Sequence, residues 1–323
     1  DGSVGLTVGT HALFSKSVVF QRLGLVVTDE QHRFGVAQRA ALSKKGEHPH
    51  LLVMSATPIP RTLALMIYGD LNLSVLDELP PGRMEIKTYA VPSALRPRVF
   101  RFLERQIASG RQCYIICPTI DGDQSGMASV MQYAEALQNQ WLHGRRIGVL
   151  HGRMKSSEKE KVMGCFASGS LDVLVSTTVV EVSMDVPNAT VMMVENAERY
   201  GLSQLHQLRG RVGRGREQSY CILISDAKSK TAKARLDILC HTGDGFKIAD
   251  EDLRLRGPGD FFGNRQHGLP ALKIADMATN MDCLREAQNA AEFILTQDPS
   301  LERPEHRGLR AEMQLLFSQA EFS

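Results

Sequence analysis

The stretch Leu23-Gly24-Leu25-Val26-Val27-Thr28 is a short apolar run that stops on two adjacent acids, Asp29 and Glu30. A run of this length without alternation reads as a strand covered on both faces, as in a parallel sheet. The pattern recurs. Leu51–Met54 closes on Ser55-Ala56-Thr57, and Asp172–Val175 closes on Ser176-Thr177-Thr178. Val4–Val8, Ile86–Val91, Gln112–Cys117, Ile147–Leu150, Val191–Val194 and Tyr220–Ile224 are further runs. Between them the spacing predicts helices over Phe34–Lys45, Thr62–Tyr68, Arg96–Ser109, Met127–Trp141 and Lys159–Ala167. Strands alternating with helices specify an α/β fold, a doubly wound parallel sheet.

Beyond Lys228 the pattern turns helical, with segments at Thr231–Cys240, Phe246–Leu255, Leu272–Ala278, Cys283–Leu295 and Leu309–Ala320. Asp77-Glu78-Leu79-Pro80-Pro81-Gly82-Arg83 is stiff and excludes regular structure, because proline fixes φ and removes a donor. A boundary is placed there. The expected organisation is residues 1–83, 84–227 and 228–323. A chain of 323 residues is long enough for two domains with cores and a tail. It opens on Asp1 with a strand-like segment already under way, which suggests a fragment.

The net charge of +2 leaves no global basic footprint, so a nucleic-acid partner must be met by local patches. Arg199, Arg209, Arg211, Arg214 and Arg216 form one such cluster. Aromatic residues at 6% make no stacking ladder. Six cysteines without metal spacing read as reduced core thiols, which suits the cytosol. No run reaches membrane-spanning length. Asp121–Gly126 resembles a calcium loop, but Gln132 stands at the twelfth place where the loop needs an acid.

An acid pair at the carboxyl end of a parallel strand lies where such sheets bind ligands. One carboxylate can hold Mg²⁺, largely through water, and the next can orient the water that attacks a γ-phosphate. The plain alternative is an acidic turn. Arg211 and Arg214, three apart on a helix or its lead-in, share a face and suit a γ-phosphate; the alternative is a basic surface helix.

The acid pair, Ser55-Ala56-Thr57 and Gln207-Leu208-Arg209-Gly210-Arg211-Val212-Gly213-Arg214, in that order, resemble motifs II, III and VI of superfamily 2 helicases. Longer matches narrow the resemblance to the RecG family of branched-DNA translocases. They are Asp29–Gly35, Ser55–Ala64, Asp77–Arg83, His151-Gly152-Arg153-Met154-Lys155, Gln204–Gly215 and Leu255–Gly263, and they run from Val8 to about Ala278. The transcription-repair coupling translocase shares the motor, but the linker and the Leu255–Gly263 stretch favour RecG.

The resemblance implies RecA-like sheets, partial in motor domain 1 and complete in motor domain 2, then a helical-hairpin translocation element over roughly Lys228–Gly268. It implies ATP and Mg²⁺ as cofactors, with Asp29 and Glu30 at the metal and water, and Gln207, Arg211 and Arg214 at the nucleotide. Asp185 becomes the acid that reaches the ribose or the arginines. Gln31, His32, Ser55 and Thr57 become the shell that couples nucleotide state to DNA.

Thr10 and His11, in a stretch resembling motif Ib, and His151, Gly152 and Thr177 become contacts to DNA phosphates. For Thr10 and Thr177 capping, and for His151-Gly152 a plain turn, remain open. Arg235, Arg256, Arg265 and Gln266 become the working residues of the hairpin and its loop. The implied partners are stalled forks, Holliday junctions and a single-strand-binding protein, met by a monomer in the bacterial cytoplasm and nucleoid.

Two departures qualify this picture. No Gly-x-x-x-x-Gly-Lys-Ser/Thr phosphate loop occurs in the chain, and the wedge domain is missing. The chain is therefore expected to be a carboxy-terminal fragment that hydrolyses ATP poorly alone; a non-catalytic DNA-binding module is the other reading. Ser183 stands where the family has glycine, which costs on the order of 1 kcal/mol if φ must be positive.

Overall fold

The computed structural model describes residues 2–15, 17–29, 45–46, 49–55, 74–76, 78, 82–118, 127–177, 185–256 and 281–320. Two compact units emerge, Asp1–Pro58 and Ile59–Ser323. Most of the stiff stretch 77–83, and the predicted helices at Phe34–Lys45, Thr62–Tyr68 and Leu272–Ala278, lie outside the described residues.

In the first unit β1 (Leu25–Thr28) and β2 (His50–Val53) pair in parallel, Leu25 against His50 and Thr28 against Val53. Val4–Val8, expected as a strand, is not one: among the described residues no strand pairs with it, and Val4, Leu6 and Val8 are exposed. Alternating apolar residues give an extended segment a face, but only a ladder partner satisfies its backbone. A short 3-10 turn, His11–Phe14, comes after it.

The second unit is built on six parallel strands. They are β3 (Lys87–Val91), β4 (Gln112–Ile116), β5 (Ile147–Leu150), β6 (Val173–Ser176), β7 (Ala189–Val194) and β8 (Tyr220–Ile224), in the order β3-β8-β7-β4-β6-β5. From β4 the chain moves out one side to β5 and β6, then crosses to β7 and β8 on the other. The switch point of the doubly wound sheet therefore lies between β4 and β7.

Successive side chains of β7 go to opposite faces. Val191 and Met193 pack with Val99, Phe100, Leu103 and Ile107 of α1 (Arg96–Ala108) and Val130 and Leu137 of α2 (Met127–Gln140). Met192 and Val194 pack with Met163 and Phe166 of α3 (Ser156–Ala167) and Leu202, Leu205 and Leu208 of α4 (Leu202–Arg209). Residues such as Leu103 and Phe166 are wholly buried, each worth about 1.5–3 kcal/mol of transfer free energy. At the amino edge of the sheet, the buried Gln112 amide donates to Phe166 O at 2.6 Å and Leu171 O at 2.7 Å and accepts from Asn188.

After β8 come α5 (Lys230–His241) and α6 (Gly245–Arg256), whose Leu236, Leu239 and Ile248 join the α4 side of the core. Further on, α7 (Met281–Gln297) and α8 (Arg307–Ala320) are joined by a turn. Asp298 organises it, accepting from Glu302 N–H at 3.0 Å, Arg303 N–H at 2.9 Å and His306 Nδ1 at 2.8 Å. The Arg303 amide first, and His306 next, hold the Asp298 carboxyl down at about 2.

Candidate functional site

In the first unit the register that sets Thr28 against Val53 puts Asp29 and Ser55 at the carboxyl ends of neighbouring strands. The Met54 amide donates to Thr28 O at 2.8 Å, which holds the two ends together. Asp29 is exposed. Thr28 is 6% exposed and its Oγ1 has no hydrogen-bond partner among the described residues. Thr10 Oγ1 accepts from Ala12 N–H at 3.5 Å and so caps the turn that His11 opens. Glu30, Gln31, His32 and Thr57 lie outside the described residues.

In the second unit β5 and β6 end side by side, and the Thr177 amide donates to Leu150 O at 3.3 Å. Thr177 is 2% exposed, and its Oγ1 is buried without a partner among the described residues. The same is true of His151 Nδ1 on the adjacent strand end. Two orphaned polar atoms there cost free energy unless a ligand or water supplies the missing bond. Gly152 comes next, in an exposed turn, and its carbonyl accepts from Lys159 Nζ at 3.3 Å.

The helix α4 carries Gln207 and Arg209, but Arg211 and Arg214 are not on it. Arg211 N–H bonds Leu208 O and Val212 N–H bonds Arg209 O, which tightens the last turn, and Gly213 at φ +76° ends any helical continuation. A Cβ on Gly213 would meet Ile86 Cγ1 at 2.8 Å, and one on Gly215 would meet the Pro187 carbonyl at 2.6 Å. The glycines thus let the arginine-bearing loop lie directly on the segment that holds Asp185. Arg214 Nη1 pairs with Asp185 Oδ1 at 3.5 Å, and both side chains remain open to solvent. Beneath them, burial pushes the Tyr114 phenol up to about 12, with Arg211 and Arg214 pulling the other way. Ser183 and the rest of 178–184 lie outside the described residues.

Arg209 differs from the other clustered arginines. It is 4% exposed, and Nη1 donates to Leu239 O and Thr242 O, both at 2.8 Å, while Nη2 meets His206 Nδ1 at 2.9 Å. These acceptors lie at the end of α5. Burial lowers its pKa from the ordinary arginine value, and burial first, then Arg209, pulls His206 down to about 4. His206 is thus a neutral acceptor at pH 7. At the other end of α4, Ser203 Oγ donates to the buried Asp252 of α6 at 3.0 Å. The helix that leads into Arg211 and Arg214 is therefore tied at both ends to the α5–α6 pair. Leu202, Leu205 and Arg209 recur at i, i+3 and i+7, the spacing of an inward helix face, and this is the signal that marks Arg209 as buried.

Arg235 of α5 also turns inward: Nη2 donates to Glu198 O at 3.3 Å, and Nε is buried without a partner among the described residues. Arg256 ends α6. Arg265 and Gln266 lie outside the described residues.

Sequence reasoning passed over Glu195, Arg96 and Tyr133. Glu195 stands directly after β7 at the switch point and is 3% exposed. Arg96 Nε and Nη2 each donate to its carboxylate at 2.9 Å, and Tyr133 Oη donates at 2.8 Å.

This architecture is a RecA-like α/β sheet, and the model of the helicase conserved C-terminal domain matches residues 97–216. A second model, ATP-dependent DNA helicase RecG, domain 3, C-terminal, matches 242–318, so the likeness continues past Ala278, where the recognisable motifs end. ATP-dependent DNA helicase RecG of Synechocystis sp. is 52% identical over 93% of the chain, and that of Bacillus subtilis 47% over 97%. The structure of RecG bound to a three-way DNA junction superimposes with a TM-score of 0.67 at 46% identity, covering 86% of this chain and 35% of that one. The chain belongs to the RecG family. It spans 36% and 46% of the length of these two curated relatives.

Proposed function

We propose that this chain contributes the end of motor domain 1 (residues 1–83), motor domain 2 (84–227) and the translocating hairpin with its trailing helices (228–323) to an ATP-dependent translocase on branched double-stranded DNA. Its work is fork regression and Holliday-junction branch migration in recombination and repair. The observation that carries this reading is the double tie of α4. Arg209 grips the end of α5 and Ser203 grips Asp252 of α6, so the helix that leads to Arg211 and Arg214 cannot shift without moving the hairpin.

The residues fit the cofactors. Asp29 is a hard oxygen donor at a strand's carboxyl end, and one carboxylate with waters and phosphate oxygens is the usual Mg²⁺ set. ATP supplies the free energy of phosphoryl transfer. Glu30 orients the attacking water, and Gln207, Arg211 and Arg214 stabilise charge on the transferring phosphoryl. Asp185 holds Arg214 in place or meets the ribose.

Gln31, His32, Ser55 and Thr57 transmit the nucleotide state. Thr10, His11, His151, Gly152 and Thr177 hold DNA phosphates, a role suited to the orphaned Thr177 Oγ1 and His151 Nδ1. Arg256, Arg265 and Gln266 engage the duplex, while Arg235 seats α5. The protein acts as a monomer in the bacterial cytoplasm and nucleoid, beside a single-strand-binding protein. No helix among the described residues is long and apolar enough to cross a membrane.

The test measures fork binding and ATP hydrolysis by the 323-residue chain, beside Glu30→Gln. Fork binding that weakens steeply with salt, and turnover at background, are expected. No fork binding at low salt overturns the motor reading. Fork-stimulated turnover abolished by Glu30→Gln overturns the requirement for a phosphate loop.

A further inference from the structure

Glu195 has no part in the proposed nucleotide or DNA contacts, yet its carboxylate is buried and held by three N–H and O–H donors. They come from separate βα units: Arg96 opens α1 after β3, and Tyr133 lies on α2 after β4. The Glu195 amide donates to Ile116 O at 2.8 Å, the last rung between β7 and β4. Burial, and the adjacent carboxylate, push the Tyr133 phenol well above its ordinary value, so it stays a donor. With Arg96 half-exposed and Glu195 buried, the ion pair is weak support for stability, since apolar side chains of equal volume do as well. What a bidentate fork adds is direction.

Direction matters at this point in the chain because the next residue, Asn196, sits at φ 48° and ψ 50°. Asparagine is among the few residues with a Cβ that adopt this left-handed conformation readily, and a single such residue reverses the chain sharply, so the direction of its entry sets the direction of its exit. The chain then makes the Ala197–Arg199 turn and enters α4 at Leu202. We infer that Glu195 is a positioning residue: the Arg96–Glu195–Tyr133 network fixes the angle at which the chain leaves β7, and thereby the placement of Arg211 and Arg214. The inference deepens the motor reading and rests on it.

Hydrogen exchange of the whole chain, without nucleotide or DNA, tests it. Amides of residues 196–211 should exchange roughly tenfold or more faster in Glu195→Gln and Arg96→Lys, and about threefold faster in Tyr133→Phe, where one donor of the network is lost. Those of Ile147–Ser176 should not change. Equal acceleration along the whole sheet would make the network a plain stabiliser and overturn the proposal, as would unchanged exchange over 196–211. If Glu195→Gln does not fold, Tyr133→Phe carries the same comparison. Because no ligand enters, failure here leaves the fork-binding result standing, and failure there leaves this one.

Discussion

Leu25-Val26-Val27-Thr28 in β1 and Val173-Leu174-Val175-Ser176 in β6 are almost the same sequence: three branched apolar residues and a hydroxyl. Their surroundings are opposite. All four residues of β6 are buried, between β4 and β5 and under helices on both faces. In β1 burial alternates, with Leu25 at 59% and Val27 at 50% exposure. An apolar run specifies a strand that wants cover on two faces. Whether both are covered is decided by elements far away in the chain, and the run carries no record of them.

Leu174→Ala should cost about 2–5 kcal/mol in urea unfolding, because the fully buried site leaves a cavity, whereas Val27→Ala should cost under about 0.5 kcal/mol. Equal losses would mean that the two strands are covered alike. A second contrast sets buried Arg209 against exposed Arg214. Arg209→Lys should cost about 1.5–3 kcal/mol and loosen α5 and α6 in hydrogen exchange, since lysine cannot reach Leu239 O, Thr242 O and His206 together. Arg214→Lys should leave stability nearly unchanged.

A further contrast is between neutral and acid pH. His206 is held at about 4, below its ordinary 6.5, so the unfolded chain binds the extra proton first. Stability from this group is complete above about pH 6.5 and is lost as pH falls toward 4. Melting temperature, measured from neutral pH down toward that lower value, should show the decline, and His206→Asn, which keeps an acceptor for Arg209, should flatten it.

Most of the second unit was legible because its strands announce themselves. Tyr220–Ile224 and Ile147–Leu150 fall where the apolar runs put them, and α1 and α2 lie within a residue of their expected ends. Local motifs carry the arginine loop and the Asp29 strand end in the same way. What was not legible is long-range. Arg96 and Tyr133 lie 99 and 62 residues from Glu195, and no local spacing joins them. The glycine-arginine motif reads as uniformly basic, although Arg209 faces the core and Arg214 faces solvent. The strand expected at Val4–Val8 failed because alternation says nothing about a partner.

The sheet order also governs when this unit can fold. Among the described residues β3 is an edge strand whose one neighbour is β8, joined from Lys87 against Tyr220 to Val91 against Ile224. The first strand of the unit to leave the ribosome therefore waits for the last, and the central β4–β7 pair likewise closes only after β5 and β6 have been made. Such long-range closure is slow and leaves strand edges bare in the interval. During synthesis the nascent chain must carry an unpaired β3 until Ile224 is made, so the edge that opens this unit is the last to find its ladder partner.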